Sequence, residues 1–165
     1  GALTPHADME RQVWLAGSFG SLIFYQVLLY EQPGIDAVAL VGAISDAFLG
    51  VQALYKTELY IPIEYRAAIA ALEPPHRYPD FYRRHSLIFD AERLPPTIVV
   101  HTKGDEVIPY QQSLRLAEAL EKAGVAHELF LYEDTTHYLD QVNVTPDTAE
   151  LYWRLNAFFD RHLRD

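Results

Sequence analysis

The sequence predicts an α/β fold, in which a parallel sheet is flanked by helices. Along its 165 residues, four short apolar runs alternate with longer segments whose apolar residues have helical spacing. Strands that alternate with helices favour right-handed crossovers and therefore a parallel sheet. With 50% hydrophobic residues, a chain of this length can bury a substantial core, so we expect one domain over residues 1–165.

The first half of the chain supplies two strands and a helix. The apolar run at residues 11–17 predicts a short buried strand, and residues 20–34 have helical spacing until a Pro-Gly pair ends the pattern. Residues 35–44 are almost continuously apolar, which is typical of a strand covered on both faces of a sheet.

The second half repeats this alternation. Strands are predicted at residues 96–102 and 126–133, and the helical pattern of residues 110–124 lies between them. Residues 145–163 predict a closing helix with Thr145 as its N-cap.

Residues 45–92 interrupt the pattern, because they are rich in proline and aromatic residues and contain no clear strand. We expect a helical, cap-like insertion over the carboxyl edge of the sheet. Its aromatic residues are candidates to line a substrate pocket, although ordinary packing within the cap is the alternative for each one. These candidates are Tyr55, Tyr60, Tyr65, Tyr78, Phe81 and Tyr82.

Composition excludes several classes of function. A formal net charge of −10 and the lack of a basic cluster argue against a nucleic-acid partner. The absence of cysteine excludes a disulfide framework, a thiol nucleophile and a Cys-ligated zinc. The histidines and carboxylates show no tight metal-ligand spacing, so we expect neither a metal nor another cofactor.

The apolar runs are also too short for a membrane-spanning segment, which needs about 20 residues. The N-terminus lacks the basic and apolar regions of a signal peptide. We therefore expect no membrane association and predict a cytoplasmic location.

Ser18 lies where a predicted strand meets a predicted helix, in the stretch AGSFG at residues 16–20. A serine in such a tight turn is often strained and exposes its hydroxyl. The helix that starts near Phe19 would point its free N–H groups at an oxyanion formed there. The short motif also occurs by chance, so a simple loop serine is the alternative.

Asp105 and His137 follow two later predicted strands. A turn aspartate and a surface histidine are the alternatives for each residue alone, and Glu106 is the neighbouring rival of Asp105. His101 also lies near a strand end, but its apolar run indicates a core histidine. Together with Ser18, both residues fall at the sheet edge where open α/β sheets place their sites, in the chain order Ser…Asp…His. We therefore predict a catalytic triad.

Three segments resemble the C-terminal half of α/β-hydrolases of the prolyl-oligopeptidase type and related esterases. They are GSFGS (17–21), LPPTIVVHTKGDEVIPYQQSLRLAEALEKAG (94–124) and ELFLYEDTTHYL (128–139). The resemblance implies that Ser18 is the nucleophile, Asp105 the acid and His137 the general base. It also implies that the backbone N–H of Phe19 contributes to the oxyanion hole, and that the fold is a partial α/β-hydrolase fold.

The sequence departs from this family in two ways. Ser21, Thr102 and Thr136 stand where glycine is frequent in the family. A complete fold of this type also has strands before the elbow, and an upstream loop supplies a second oxyanion donor. Here only 17 residues precede Ser18, so the first strand would present an open edge. We expect a further part of a longer hydrolase, a second chain or another copy to complete the sheet.

We therefore predict a serine hydrolase that cleaves a small-molecule ester or a peptide by acyl transfer. The first alternative is a non-catalytic domain of the same fold that binds another protein. The second is a nucleotide-binding domain with AGSFGS as its phosphate loop. The glycine spacing and the lack of a following lysine disfavour that second alternative.

Overall fold

Four parallel strands form the centre of the molecule. The computed structural model describes residues 10–31, 34–55, 63, 67, 71–133, 136–137 and 146–163. The strands are β1 (Val13–Gly17), β2 (Ala37–Val41), β3 (Thr97–Thr102) and β4 (His127–Tyr132), and they lie in the order β1-β2-β3-β4. The predicted fold class, a parallel sheet with flanking helices, is confirmed.

Five α-helices have both of their ends within the described residues. They are α1 (Gly20–Glu31), α2 (Ala47–Tyr55), α3 (Pro79–Arg84), α4 (Gln111–Ala123) and α5 (Pro146–His162). Gly124 ends α4 in the left-handed conformation, as its position in the sequence predicts. The proposed N-cap Thr145 lies outside the described residues. None of the helices within the described ranges is both long and apolar enough to cross a membrane.

Two hydrophobic clusters cover opposite faces of the sheet. Because successive strand residues point to opposite faces, Leu40 packs on one side and Ala39 on the other. The first face carries α1 and α4, and the second carries α5 through residues such as Phe158. The first four residues of β2 are buried, so the prediction of a strand covered on both faces is confirmed for β2, and all six residues of β3 are buried as well.

The second strand is shorter than predicted. Its apolar run continues to residue 44, but β2 ends at Val41 because Gly42 has a φ of +54° and turns the chain out of the extended conformation. The Gly42 N–H still donates to the carbonyl of Val100 over 2.8 Å. The turn therefore remains attached to β3 at the carboxyl edge of the sheet.

Helices are the regular elements in the described part of the segment between β2 and β3. It contains α2, α3 and two short 3₁₀ helices (Leu87–Phe89 and Ala91–Arg93), and no strand occurs in its described part. Buried Gln112 ties the start of this segment to α4, because its Oε1 accepts from the N–H groups of Ser45 and Asp46 over 3.0 and 2.7 Å. The interpretation of residues 45–92 as a cap stays a prediction.

Candidate active site

Ser18 occupies the turn between β1 and α1. Its φ is +51°, in the left-handed region that residues with a side chain rarely adopt. The Ser18 N–H donates to the carbonyl of Val41 at the end of β2 over 2.9 Å. The turn is thus both strained, as expected from the sequence, and tied to the neighbouring strand.

The side chain of Ser21 braces the same turn. Its buried hydroxyl accepts a hydrogen bond from the N–H of Ile44 over 2.9 Å and donates to the carbonyl of Ser18 over 2.6 Å. Ser21 stands at a position where the resemblance leads us to expect glycine. In this chain it supplies two bonds that a glycine lacks, and these join the Ser18 turn to the segment that follows β2.

The side chains of Ser18, His137 and Asp105 lie in one hydrogen-bonded line. Nε2 of His137 is 2.9 Å from Oγ of Ser18, and Nδ1 of His137 is 2.7 Å from Oδ2 of Asp105. A carboxylate only accepts hydrogen bonds, so the proton of the neutral imidazole belongs on Nδ1. Nε2 is then left as an acceptor that faces the hydroxyl of Ser18.

Both oxygens of Asp105 are held in place. Oδ1 accepts from the N–H groups of Val107 and Ile108 over 2.8 and 2.7 Å, which closes the loop after β3 on the aspartate. Oδ2 lies within hydrogen-bond distance of two imidazoles, those of His101 and His137. The carboxylate is therefore fixed in orientation from both sides.

The same contacts control the ionisation of Asp105. Burial raises the pKa of its carboxyl group, but three kinds of contact outweigh that effect and hold the pKa well below its usual range. These contacts are the hydrogen bonds from His101 and His137, the backbone hydrogen bond from Ile108, and the charge of His137. Asp105 therefore remains a carboxylate throughout the neutral range.

His101, for which the sequence predicts only a core position, also lies at this site. It is buried, as predicted, but its Nε2 lies 3.0 Å from Oδ2 of Asp105. The signal that could have revealed this contact is the four-residue spacing between His101 and Asp105 across the end of a strand. A residue on the strand and one in the loop that folds back over it can meet at that spacing.

Asp105 faces the imidazole of His137, and its sequence rival Glu106 meets the backbone of His137. Glu106 is exposed, and its carboxylate accepts a hydrogen bond from the backbone N–H of His137 over 3.2 Å.

The two threonines that replace family glycines differ in environment. Thr102 is buried and accepts from the N–H of Gly104 over 3.2 Å, whereas Thr136 is exposed.

The first turn of α1 faces the Ser18 turn with its backbone donors. The N–H of Phe19 makes no hydrogen bond with any described residue, whereas the N–H of Ser21 donates to the carbonyl of Ser18 over 3.1 Å. Free N–H groups at the start of a helix carry partial positive charge. Phe19 therefore offers an unused donor beside the hydroxyl of Ser18.

The structure describes only some of the candidate pocket aromatics. Tyr60 and Tyr65, and the side chain of Tyr55, lie outside the described residues. Tyr82 is buried, packs on the ring of Phe48 at a centroid distance of 5.4 Å and donates its hydroxyl to a backbone carbonyl. Tyr78 and Phe81 are exposed by 52% and 44%, and no described contact joins either ring to Ser18. Their role in a pocket stays a prediction.

Solved structures define the class of this fold. The chain superposes on Pyrococcus horikoshii acylaminoacyl peptidase with a TM-score of 0.79 at 20% sequence identity, over 99% of this chain and 26% of that one. It superposes on Porphyromonas gingivalis dipeptidyl peptidase 4 with a TM-score of 0.71 at 18% identity, over 96% of this chain and 20% of that one. The architecture is that of the α/β-hydrolases.

The sequence also determines the family. The profile of the Prolyl oligopeptidase family matches residues 3–165, and the chain belongs to that family. Venom dipeptidyl peptidase 4 of Vespula vulgaris is 50% identical over 42 residues, which are 26% of this chain and 5% of that protein. The chain thus spans only a minor part of the length of these relatives. Its family argues against the nucleotide-binding alternative.

Proposed function

We propose that the chain carries the nucleophile, acid and base of a serine hydrolase that cleaves ester or amide bonds. The observation that carries this proposal is the continuous line of hydrogen bonds from Ser18 through His137 to Asp105. The strained Ser18 turn supports it, because such strain is concentrated at functional sites. Membership of the prolyl oligopeptidase family supports it independently.

In the proposed reaction, Oγ of Ser18 attacks the substrate carbonyl while Nε2 of His137 takes the hydroxyl proton. The new O–C bond gives a tetrahedral intermediate, and His137 returns the proton to the leaving alcohol or amine as the old bond breaks. Water then hydrolyses the acyl-enzyme with the same histidine as base. Asp105 keeps the imidazole in the required tautomer and stabilises its cation throughout.

The oxyanion would bind to the backbone N–H of Phe19. One donor is half of the usual arrangement, and removing a donor from an oxyanion hole typically costs about 2.7–4 kcal/mol of transition-state stabilisation. The second donor would come from a part of the hydrolase upstream of β1. Full activity therefore depends on that part as well as on the residues described here.

Peptides are the substrate class that the comparisons favour. The family and the relatives named above are peptidases by their descriptions, although the chain matches only a minor part of each. Amide cleavage demands protonation of a poor leaving group, which a positioned His137 can supply. The aromatic residues of the cap-like segment would line the acyl or leaving-group pocket, and small esters would react at the same site.

The open side of β1 is the proposed contact for the rest of the sheet. Among the described strands, β1 pairs only with β2, and Leu15 in its centre is 58% exposed. An exposed apolar edge strand is a liability that proteins normally blunt or cover. We therefore place the upstream part of a longer protein, a second chain or another copy against β1. A cytoplasmic location and the lack of nucleic-acid partners stay predictions from the sequence.

The competing function is a non-catalytic domain of the same fold that binds another protein. The three replaced glycines favour it, but the bonding of Ser21 and Thr102 shows that two of these replacements are accommodated by new hydrogen bonds. The two functions differ in one property. Only a hydrolase requires Ser18 to be more reactive than an ordinary serine.

A fluorophosphonate probe tests this property on the purified full-length protein and on the 165-residue chain. We expect covalent labelling that is lost in both Ser18→Ala and His137→Ala. His127→Ala is the control and should keep the label, because His127 lies at the start of β4, the end away from His137. Faster labelling of the longer protein would support completion of the site from upstream. If the folded wild-type protein is not labelled in either form, the binding function replaces the hydrolase.

A further inference from the structure

Asp105 stands between two serine–histidine pairs. On one side, His137 joins Oδ2 of Asp105 to Ser18. On the other, Nε2 of His101 lies 3.0 Å from the same oxygen, and Nδ1 of His101 lies 2.7 Å from Oγ of Ser113 on α4. Five side chains thus form one hydrogen-bonded chain that runs from the surface turn to the interior.

The surroundings of His101 define how it is bonded. Its Nε2 faces two acceptors, Oδ2 of Asp105 and the carbonyl of Ile108, the latter also at 3.0 Å. The proton therefore belongs on Nε2, and Nδ1 accepts from the hydroxyl of Ser113. The side chain of His101 is 0% exposed, so water cannot replace any of these partners.

We propose that His101 is a positioning residue, which acts through Asp105 to hold the carboxylate in line with His137. This inference rests on the proposed function, because it assigns His101 to the same site. Backbone N–H groups hold Oδ1 of Asp105, whereas the imidazoles of His101 and His137 both lie within hydrogen-bond distance of Oδ2. The bond from buried His101 therefore holds Oδ2 in place while the same oxygen accepts from Nδ1 of His137.

A second nucleophile is the rival interpretation, since Ser113 and His101 repeat the residue types of the first pair. Burial excludes it, because Ser113 and His101 are each 1% exposed and no substrate can reach the hydroxyl. A purely structural role is the remaining rival. It differs in its consequences, because loss of packing would lower stability without changing the reactivity of the protein that stays folded.

The test measures fluorophosphonate labelling per folded molecule of the full-length protein as a function of probe concentration. His101→Leu removes the hydrogen-bond donor, whereas His101→Gln keeps an N–H donor near the position of Nε2. We expect His101→Leu to lower the maximal labelling rate by about 10- to 100-fold, the range typical of a misplaced reacting group. The probe concentration that gives half of this rate should change by less than about threefold, since binding of the probe is not affected.

The conservative variant and a matched control complete the experiment. His101→Gln should recover the maximal rate to within about threefold of the wild type, in keeping with the modest effect of a retained donor. His127→Leu, the same change at the start of the neighbouring strand, should label like the wild type. Ser113→Ala keeps His101 but removes the hydroxyl that orients it, and should slow labelling by about 3- to 10-fold.

Three outcomes overturn the inference. The first is a folded His101→Leu that labels at the wild-type rate. The second is an equal loss in His101→Leu and His101→Gln, which would indicate packing alone. The third applies if His101→Leu does not fold. The labelling rate of Ser113→Ala is then the test, and a wild-type rate in that variant overturns the inference. A wild-type protein that is never labelled would instead reject the proposed function itself.

Discussion

Gly42 lies next to the imidazole of His137. A Cβ atom added at Gly42 would be 3.4 Å from Cε1 and 3.5 Å from Nδ1 of His137, and 3.6 Å from Oδ2 of Asp105. The backbone of Gly42 is also in the left-handed region, with a φ of +54°. The end of β2 therefore packs against the His137–Asp105 contact. A Cβ atom at residue 42 would make ordinary van der Waals contact there, so the positive φ is the feature that favours glycine.

Gly42→Ala should reduce both stability and reactivity. The left-handed backbone costs a residue with a Cβ about 1–2 kcal/mol, so the free energy of unfolding should fall by that amount. Relief of the strain would move the backbone of residue 42 and, with it, the neighbouring imidazole of His137. We therefore expect the labelling rate to fall by about 10- to 100-fold. Gly34→Ala is the control, because no described atom lies within 4 Å of the new Cβ. Wild-type labelling by Gly42→Ala would contradict this account.

Replacement of Ser18 separates strain from reactivity. Ser18→Gly and Ser18→Ala both lack the hydroxyl and should not react with the fluorophosphonate. Because Ser18 has a φ of +51°, glycine can adopt this backbone conformation without strain, whereas alanine keeps the strain that serine has. Urea denaturation should therefore show Ser18→Gly to be more stable than Ser18→Ala by about 1 kcal/mol. Equal stability of the two variants would mean that the turn is not strained.

Ser21→Ala should weaken the turn that carries Ser18. It leaves the half-buried N–H of Ile44 without its side-chain acceptor, which should lower the unfolding free energy by about 1 kcal/mol, and we also expect slower labelling. Ser86→Ala is a matched control. Ser86 is also buried, accepts from one N–H over 2.9 Å and donates to one carbonyl over 2.7 Å, but it does so in the segment before β3. Equal labelling rates of the two variants would show that Ser21 has no special role.

Asp105 should make the free energy of unfolding depend on pH in the acidic range. Its pKa in the folded protein lies below the ordinary value of 3.8, so the unfolded chain takes up this proton first as the pH falls. The contribution of Asp105 is therefore complete above about pH 4 and is lost progressively below it. Asp105→Asn has no such proton. The difference in unfolding free energy between wild type and variant should decrease from pH 5 to pH 3, by at most about 1.4 kcal/mol per pH unit. A constant difference would contradict the pKa shift.

Much of the fold could be predicted because the strands and helices carry strong hydrophobic patterns. The boundaries of β3, α4 and β4 agree with the sequence to within one residue at each end. The predicted end of β2, at residue 44, was wrong by three residues. The apolar run of β2 continues beyond Val41, and local sequence does not reveal that Gly42 takes a positive φ next to His137.

The positions of Ser18, Asp105 and His137 could be inferred because the carboxyl ends of parallel strands meet at one edge of a sheet. The contacts that support these three residues could not be inferred from the sequence. His101 lies in an apolar run, which indicates the core and does not reveal a neighbour in the next loop. Ser21 was identified only as a departure from a glycine pattern, and its bonds to Ser18 and Ile44 depend on how β1 and β2 end in space.

The most direct measurement is the location of the fluorophosphonate label in the sequence. Trypsin should release residues 12–56 as one peptide, because no Lys or Arg occurs between Arg11 and Lys56. This peptide contains three serines, Ser18, Ser21 and Ser45, and fragmentation by mass spectrometry distinguishes them. We expect the label on Ser18 alone, with no label in His137→Ala. A label on Ser21 or Ser45, or labelling that persists without His137, would contradict this prediction.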